Sequence, residues 1–252
     1  MPRSKVLPSF ADAVADIPDG SSILVAGFGP GTPHNLIRAI FERGTKRLHL
    51  YANAAGTGST VPRPDLITMA QLIEEHRVAK VTLAFTATTH PSRRSAIEIL
   101  EEAGEIETEL VPQGTLAERI RAGGAGIPAF YTPASVGTEL AIGKEHREFG
   151  GRTYVMEHAI FADYAFIRAY QADEFGNLIF RRAQRNFNPI MATAARVTIV
   201  EAEDVLPTGK LDPDHIHTPG IFVHRIVKIG PSDIMHVGPP GSQPPASGGS
   251  SR

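Results

Sequence analysis

The residues of this chain best suited to chemistry are amides and glycines. Gln113 lies in ELVPQGTLAERIRAGGAGIPAF, between a strand-like run ending at Val111 and a helical run from Leu116 to Arg121. Thr115, with Glu118 three residues later, has the capping-box pattern. It predicts that Thr115 closes the helix and leaves Gln113 in the loop before it. There, exposed N–H groups and the helix dipole both favour negative charge. Satisfying local backbone groups is the competing reading for the amide. Gly123, Gly124 and Gly126 predict a quick end to the helix, because glycine reaches the left-handed conformation that other residues avoid.

A second candidate is AGFGPGTP, in which Ala26, Gly27, Phe28, Gly29, Pro30 and Gly31 follow a short apolar run and open a helix. Glycines in that context let a backbone approach a ligand and turn N–H groups toward an anion. The loop has neither G-x-G-x-x-G spacing nor the lysine of a Walker A loop, and a tight structural turn explains it as well. Asn53 ends a predicted strand, where α/β sheets tend to place ligand groups; a loop asparagine bonding its own backbone is the alternative. Asp212, Asp214, His215 and His217 have ligand types suited to zinc or manganese, but their loose spacing favours a structural loop or subunit contact, and no metal is assigned. His90 and His158 read as surface or packing residues. Glu139, Glu145 and Glu157 are carboxylates, and no feature directs one of them into a pocket.

The run PQGTLAERIRAGGAGIPAF, together with Glu145–Phe149, Asn186–Ala195 (NFNPIMATAA), DPDHIHTPGI from Asp212 to Ile221, and the Gly27 loop, resembles the alpha subunit of class I coenzyme A transferases acting on 3-oxoacids. The resemblance covers most of residues 5 to 228. It implies a Rossmann-related α/β fold and a heteromeric enzyme moving CoA from succinyl-CoA to acetoacetate or 3-oxoadipate, with CoA and acyl-CoA as substrates and no permanently bound cofactor. It also implies that the nucleophile is a glutamate of a beta subunit, forming an acyl anhydride and then a glutamyl-CoA thioester. Gln113 matches the family's oxygen-stabilising amide, Asn53 the first of an asparagine pair, and residues 26 to 31 a CoA-binding loop. Two departures stand out. Ala26 replaces the first glycine of the usual GGFG, and only Pro30 separates Gly29 from Gly31; Ala54 replaces the second asparagine, which implies a changed acyl pocket. A CoA-thioester hydrolase of the same architecture and a nucleotide or sugar-phosphate binder using the glycine loop are the rival functions. Arg181, Arg182 and Arg185 read as a solvated face or subunit contact, with contact to CoA phosphates as the alternative.

The elements that must position these groups alternate. Helices are expected over Ser9–Ile17, Pro33–Arg43, Leu66–His76 and Ser95–Glu102, and strands over Ile23–Ala26, Leu48–Ala52, Val81–Thr86 and Ile106–Val111. That order predicts a mostly parallel sheet covered by helices on both faces. Later, Tyr164–Ala172 and Leu178–Arg182 flank DEFGN and predict an antiparallel excursion. A helix over Asn186–Ala195 and strands over Val197–Ala202 and Ile221–Ile229 complete a domain spanning residues 1 to 229. Residues 230 to 252 are rich in Pro, Gly and Ser and are expected to form a disordered tail. With 252 residues, the chain can bury a core without staples, and it has no cysteine for disulfides or thiolate chemistry. A net charge of −2 argues against a nucleic-acid partner. The first residues resemble neither a signal peptide nor a membrane helix, so the expected location is cytoplasmic, away from any membrane.

Overall fold

The computed structural model describes residues 3–27, 29, 31–55, 66–86 and 94–233. Its first half alternates as read from the sequence: α1 (Phe10–Val14), β1 (Ser22–Val25), α2 (His34–Arg43), β2 (Leu48–Ala52), α3 (Met69–Glu74), β3 (Val78–Leu83), α4 (Ala96–Glu102) and β4 (Glu107–Leu110). Local chemistry fixes several ends. Ser9 caps α1 through its side chain. Thr68 with Gln71 and Ser95 with Glu98 form capping boxes that start α3 and α4. Gly44 ends α2 at φ 81°, in the left-handed region.

Next come α5 (Gln113–Gly124), β5 (Ala129–Thr132), β6 (His146–Phe149), β7 (Arg152–His158), β8 (Ala162–Asp173), β9 (Leu178–Ile179), α6 (Asn188–Thr193), β10 (Ala195–Leu206) and β11 (Arg225–Lys228). The main sheet runs β11-β10-β8-β1-β2-β3-β4, all parallel, with short β9 pairing antiparallel to β8. The expected turn around DEFGN is therefore present. A second sheet, β5-β7-β6, is antiparallel and has no counterpart in the sequence reading, because β6 is exposed throughout and offers no apolar alternation.

The strands bury both faces. Ile23, Val25, Leu48, Leu50, Val81 and Leu83 meet α1 to α4 on one side. Leu24, Ala165, Ile167 and Val200 meet α5 and α6 on the other. Residues just before α1 close the far edge of the sheet: Val6 bridges to Ile226 in β11, Leu7 N–H donates to the Ile226 carbonyl, and Ile226 N–H donates to the Lys5 carbonyl. Gly230 N–H donates to Asp233, which pairs with Arg38 of α2 at 3.0 Å, so the start of the expected tail is tied to the body. Residues 234 to 252 lie outside the described residues. Among the described residues, no helix is long and apolar enough to cross a membrane.

Around α5 the expectation needs correcting. The helix begins at Gln113, with Pro112 as its cap, so Thr115 is buried in the first turn and forms no capping box with Glu118. Proline suits that entry because it has no N–H to satisfy, and its carbonyl accepts from Leu116 N at 2.8 Å. Glu118 pairs with Arg121 instead. Gly123 and Gly124 also stay inside the helix, and they are needed for close packing. A Cβ on Gly123 would strike the Ile160 carbonyl oxygen, and one on Gly124 would strike Thr193 Oγ1 of α6. Gly126, at φ 73°, is the glycine that turns the chain. Gly123→Ala should therefore destabilise the protein by about 1–3 kcal/mol through overpacking, seen as a lower urea midpoint at unchanged m-value.

Candidate active site

Strand register brings the candidate groups to one edge. Leu24 pairs with Tyr51, Tyr51 with Thr82, and Thr82 with Glu109. Ala26, Asn53, Ala84 and Val111, each two residues further on, therefore leave the sheet at one level, and Gln113 follows immediately. Main-chain bonds from Ala84 N to Asn53 O and from Val111 N to Leu83 O continue the ladder to this rim. The rim also holds a topological switch point. Strands β2 to β4 extend from β1 in one direction, and β8, β10 and β11 in the other. In open parallel sheets, ligands bind in the crevice at such a reversal, outside the carboxyl ends of the strands.

The glycine loop sits at that reversal. Gly27, Gly29 and Gly31 have φ of 110°, 76° and 87°. A Cβ on Gly27 would collide with Thr32, and one on Gly31 would lie 2.8 Å from Asn188 Nδ2. Asn188 anchors the loop: its Nδ2 donates to the Gly31 carbonyl at 3.1 Å and its Oδ1 accepts from Arg168 N at 2.8 Å. Ala26 N–H donates to Phe166 O at 3.0 Å, joining the loop's start to β8. Phe28 and Pro30 lie outside the described residues.

The helix behind this loop offers its N–H groups to an anion from within the chain. Asn35 N and Leu36 N donate to Glu201 Oε2 at 2.9 and 3.2 Å, and Arg168 Nη1 reaches Glu201 Oε1 at 3.1 Å. Glu201 is wholly buried. Burial pushes its carboxyl up to about 7, against the pull of Arg168 and the two helix N–H groups. The N–H groups of Asn35 and Leu36 in the first turn of α2 are therefore already occupied.

Asn53 and Gln113 meet directly, with Gln113 Nε2 donating to Asn53 Oδ1 at 2.6 Å. Asn53 is buried at 1% exposure, and its Nδ2 has no partner among the described residues. Gln113 is exposed at the start of α5. Below them, α5 is clamped to the sheet. Arg119 donates to Glu109 Oε1 and to the His158 carbonyl, each at 2.7 Å, and Thr82 Oγ1 donates to Glu109 Oε2 at 3.1 Å. Burial pushes Glu109 up, but the bonds from Arg119 and Thr82 outweigh it and leave the carboxyl below its usual range. His49, bonded to Thr82, is pushed down to about 4 by burial and by Lys80, so it is neutral at neutral pH.

The other singled-out residues have separate structural partners. Arg181 pairs with Glu203 at 2.9 Å and lies over Tyr170. Arg185 contacts His217 Nε2, while His217 Nδ1 accepts from Phe180 N; Asp212 pairs with His215 on the surface. Arg182 has φ 49° in a short 3-10 turn. Glu145 bonds Tyr131 and Arg147, and Glu157 bonds Lys144. Glu139 is exposed on a 3-10 turn, Asp214 N–H donates to Asp212, and His90 lies outside the described residues. Sequence reading passed over Arg168, Glu201 and Arg119. A signal for the first two existed: opposite charges inside two apolar strand runs, AFIRAY and TIVEAEDV, which the register pairs directly.

The family model for coenzyme A transferase matches residues 7–229, nearly the whole described body. The chain belongs to the coenzyme A transferase family. Among curated relatives, it is 47% identical over 224 residues, covering 88% of this chain and 89% of the other, to the A subunit of a probable succinyl-CoA:3-ketoacid coenzyme A transferase of Bacillus subtilis. It is 46% identical over 227 residues, covering 90% and 94%, to the A subunit of the 3-oxoadipate CoA-transferase of Pseudomonas putida. Among solved structures, an acyl-CoA transferase from E. coli O157:H7, in a thioester complex with CoA, shares the fold with a TM-score of 0.75 at 22% identity. The match covers 94% of this chain and 49% of that one, so this transferase chain spans about half of that enzyme's length.

Glu201 gives the transferase fold a titration. An acid with a raised folded-state value holds its proton more tightly when folded. Its contribution to stability is complete below about pH 4.5 and is lost as pH rises through about 7. Urea unfolding at pH 5, 6 and 7 should show a decline of about 2 kcal/mol from this group. Glu201→Gln should flatten that decline.

Proposed function

We propose that this chain is the A subunit of a heteromeric CoA transferase that moves CoA between succinyl-CoA and a 3-oxoacid, acetoacetate or 3-oxoadipate. The observation that carries this reading is near-full-length similarity to two proteins named as the A subunits of such enzymes. The local chemistry fits. Glu109, Glu145, Glu157 and Glu201 each have a cationic partner, and Glu201 also closes a helix. The nucleophilic glutamate in this reading is the partner subunit's, as in the family the chain resembles.

In this reaction the partner's carboxylate adds to the acyl-CoA carbonyl, and the thiolate leaves as the acyl anhydride forms. The thiolate then attacks the glutamyl carbonyl and releases the first acid, and the sequence runs in reverse with the second acid. Each addition places charge on an oxygen. In the free chain, one hydrogen of Gln113 Nε2 is used by Asn53, which leaves the other hydrogen and the Asn53 Nδ2 group as donors for that oxygen. The backbone of Gly27, Gly29 and Gly31 is the surface offered to CoA at the switch point. The expected setting is a cytoplasmic complex with its B subunit.

Gln113→Ala in the assembled enzyme should lower kcat by about 10²–10³, the cost of one preorganised oxyanion donor, with KM for acyl-CoA nearly unchanged. Initial-rate kinetics on the co-purified complex decide it; wild-type turnover in that variant removes the assignment. The isolated chain, given succinyl-CoA and acetoacetate, should exchange nothing.

A further inference from the structure

Two helices begin at the carboxyl rim next to candidate site residues, and their N-termini differ in what they hold. In α2, the first-turn N–H groups are taken by Glu201. In α5, Pro112 provides no side-chain cap, and the N–H groups of Gln113, Gly114 and Thr115 have no hydrogen-bond partner among the described residues. Three unpaired N–H groups at the positive end of a 12-residue helix favour an anion. A second, independent observation points to the same place. Asn53 is 1% exposed, is bonded through Oδ1 to the side chain of the first α5 residue, and keeps its Nδ2 without a partner among the described residues. A buried donor left without a partner is destabilising, and a ligand oxygen would satisfy it.

The local charges permit an anion. The nearest carboxylates on these elements are already neutralised, Glu109 by Arg119 and Glu118 by Arg121. At Gly114 no side chain screens the N–H groups, and nothing lies within 4 Å of where a Cβ would be.

We propose that the open N-terminus of α5, together with the unpartnered amide of Asn53 bonded to the side chain of its first residue, is the binding site for the carboxylate of the free acid substrate. This rests on the transferase reading above and specifies where its acid is held. The backbone of Gln113, Gly114 and Thr115 recognises the carboxylate group itself, a feature common to all the acids exchanged. The rest of the acyl group is left to other walls of the pocket.

The test uses the assembled enzyme with succinate and acetoacetate as probes. Gly114→Asp puts a carboxylate at the second helical position, where it favours the helix and competes with a substrate anion. It should raise KM for both acids at least about tenfold, while Gly114→Asn, of equal size and uncharged, should raise it less than about threefold. KM for acyl-CoA should move little in either variant. Asn53→Asp, which replaces the unpartnered donor by an acceptor, is the second variant and should also raise acid KM. Exchange with unmoved acid KM in Gly114→Asp and Asn53→Asp, or equal effects of Gly114→Asp and Gly114→Asn, overturns this inference and leaves the transferase reading standing. Absence of exchange in the wild-type complex defeats the transferase reading itself.

Discussion

The architecture of the rim depends on a carboxylate that never meets solvent. Glu201 sits at the start of α2, accepts from two backbone N–H groups and faces Arg168 across the β8–β10 pair. Removing one partner of such a buried pair strands the other charge in a poor medium for it, so the two are kept together. Arg168 also reaches Glu203, which is held in turn by Arg181 and Gln184. The Arg168 backbone N–H meets Asn188, and Asn188 holds Gly31. One chain of bonds thus runs from the interior of the sheet to the glycine turn. Both ends of the turn, Ala26 and Gly31, are thus tied to the core.

The amide pair at the other side of the rim is built differently. Asn53 is held by the end of its strand, and Gln113 is delivered by a helix that Arg119 fastens to β4 and to the His158 carbonyl. The face of the candidate site is therefore made of neutral donors and unpaired backbone, while Glu109 and Arg119 sit behind it as a compensated pair. That division suits chemistry in which the attacking carboxylate comes from outside the chain. A local unpaired carboxylate would compete with it for the same donors.

Much of this was legible in the sequence, for identifiable reasons. Short apolar runs such as Ile23–Ala26 and Leu48–Ala52, separated by helical periodicity and glycine, predict buried parallel strands, and those strands formed. The three candidate segments stood out because glycines and amides at strand ends are conspicuous, and the fold brings them to one rim. Errors arose where tertiary contact overrode a local pattern. Thr115 with Glu118 has the spacing of a cap, but Pro112 starts the helix earlier and Leu116 and Ile120 pull that turn into the core. Gly123 and Gly124 look like a stop, yet they are small because Ile160 and Thr193 press against them. The β5-β7-β6 sheet has too little buried surface to leave a period in its residues. Occupation of α2 by Glu201 could not be read at all, since it joins residues far apart in sequence.

The bridge between Val6 and Ile226 has a consequence for how the molecule is made. The segment around Val6 finds its neighbour only after nearly the whole body has been synthesised. Strand β1 likewise gains β2 early but must wait for β8, across the intervening small sheet. Strands β1 to β4 can therefore associate during translation, whereas the central seam and the outer edge close late, after long stretches of chain have been brought together. Such non-local closure is slow, and until it happens the apolar flank of β1 is open to other chains.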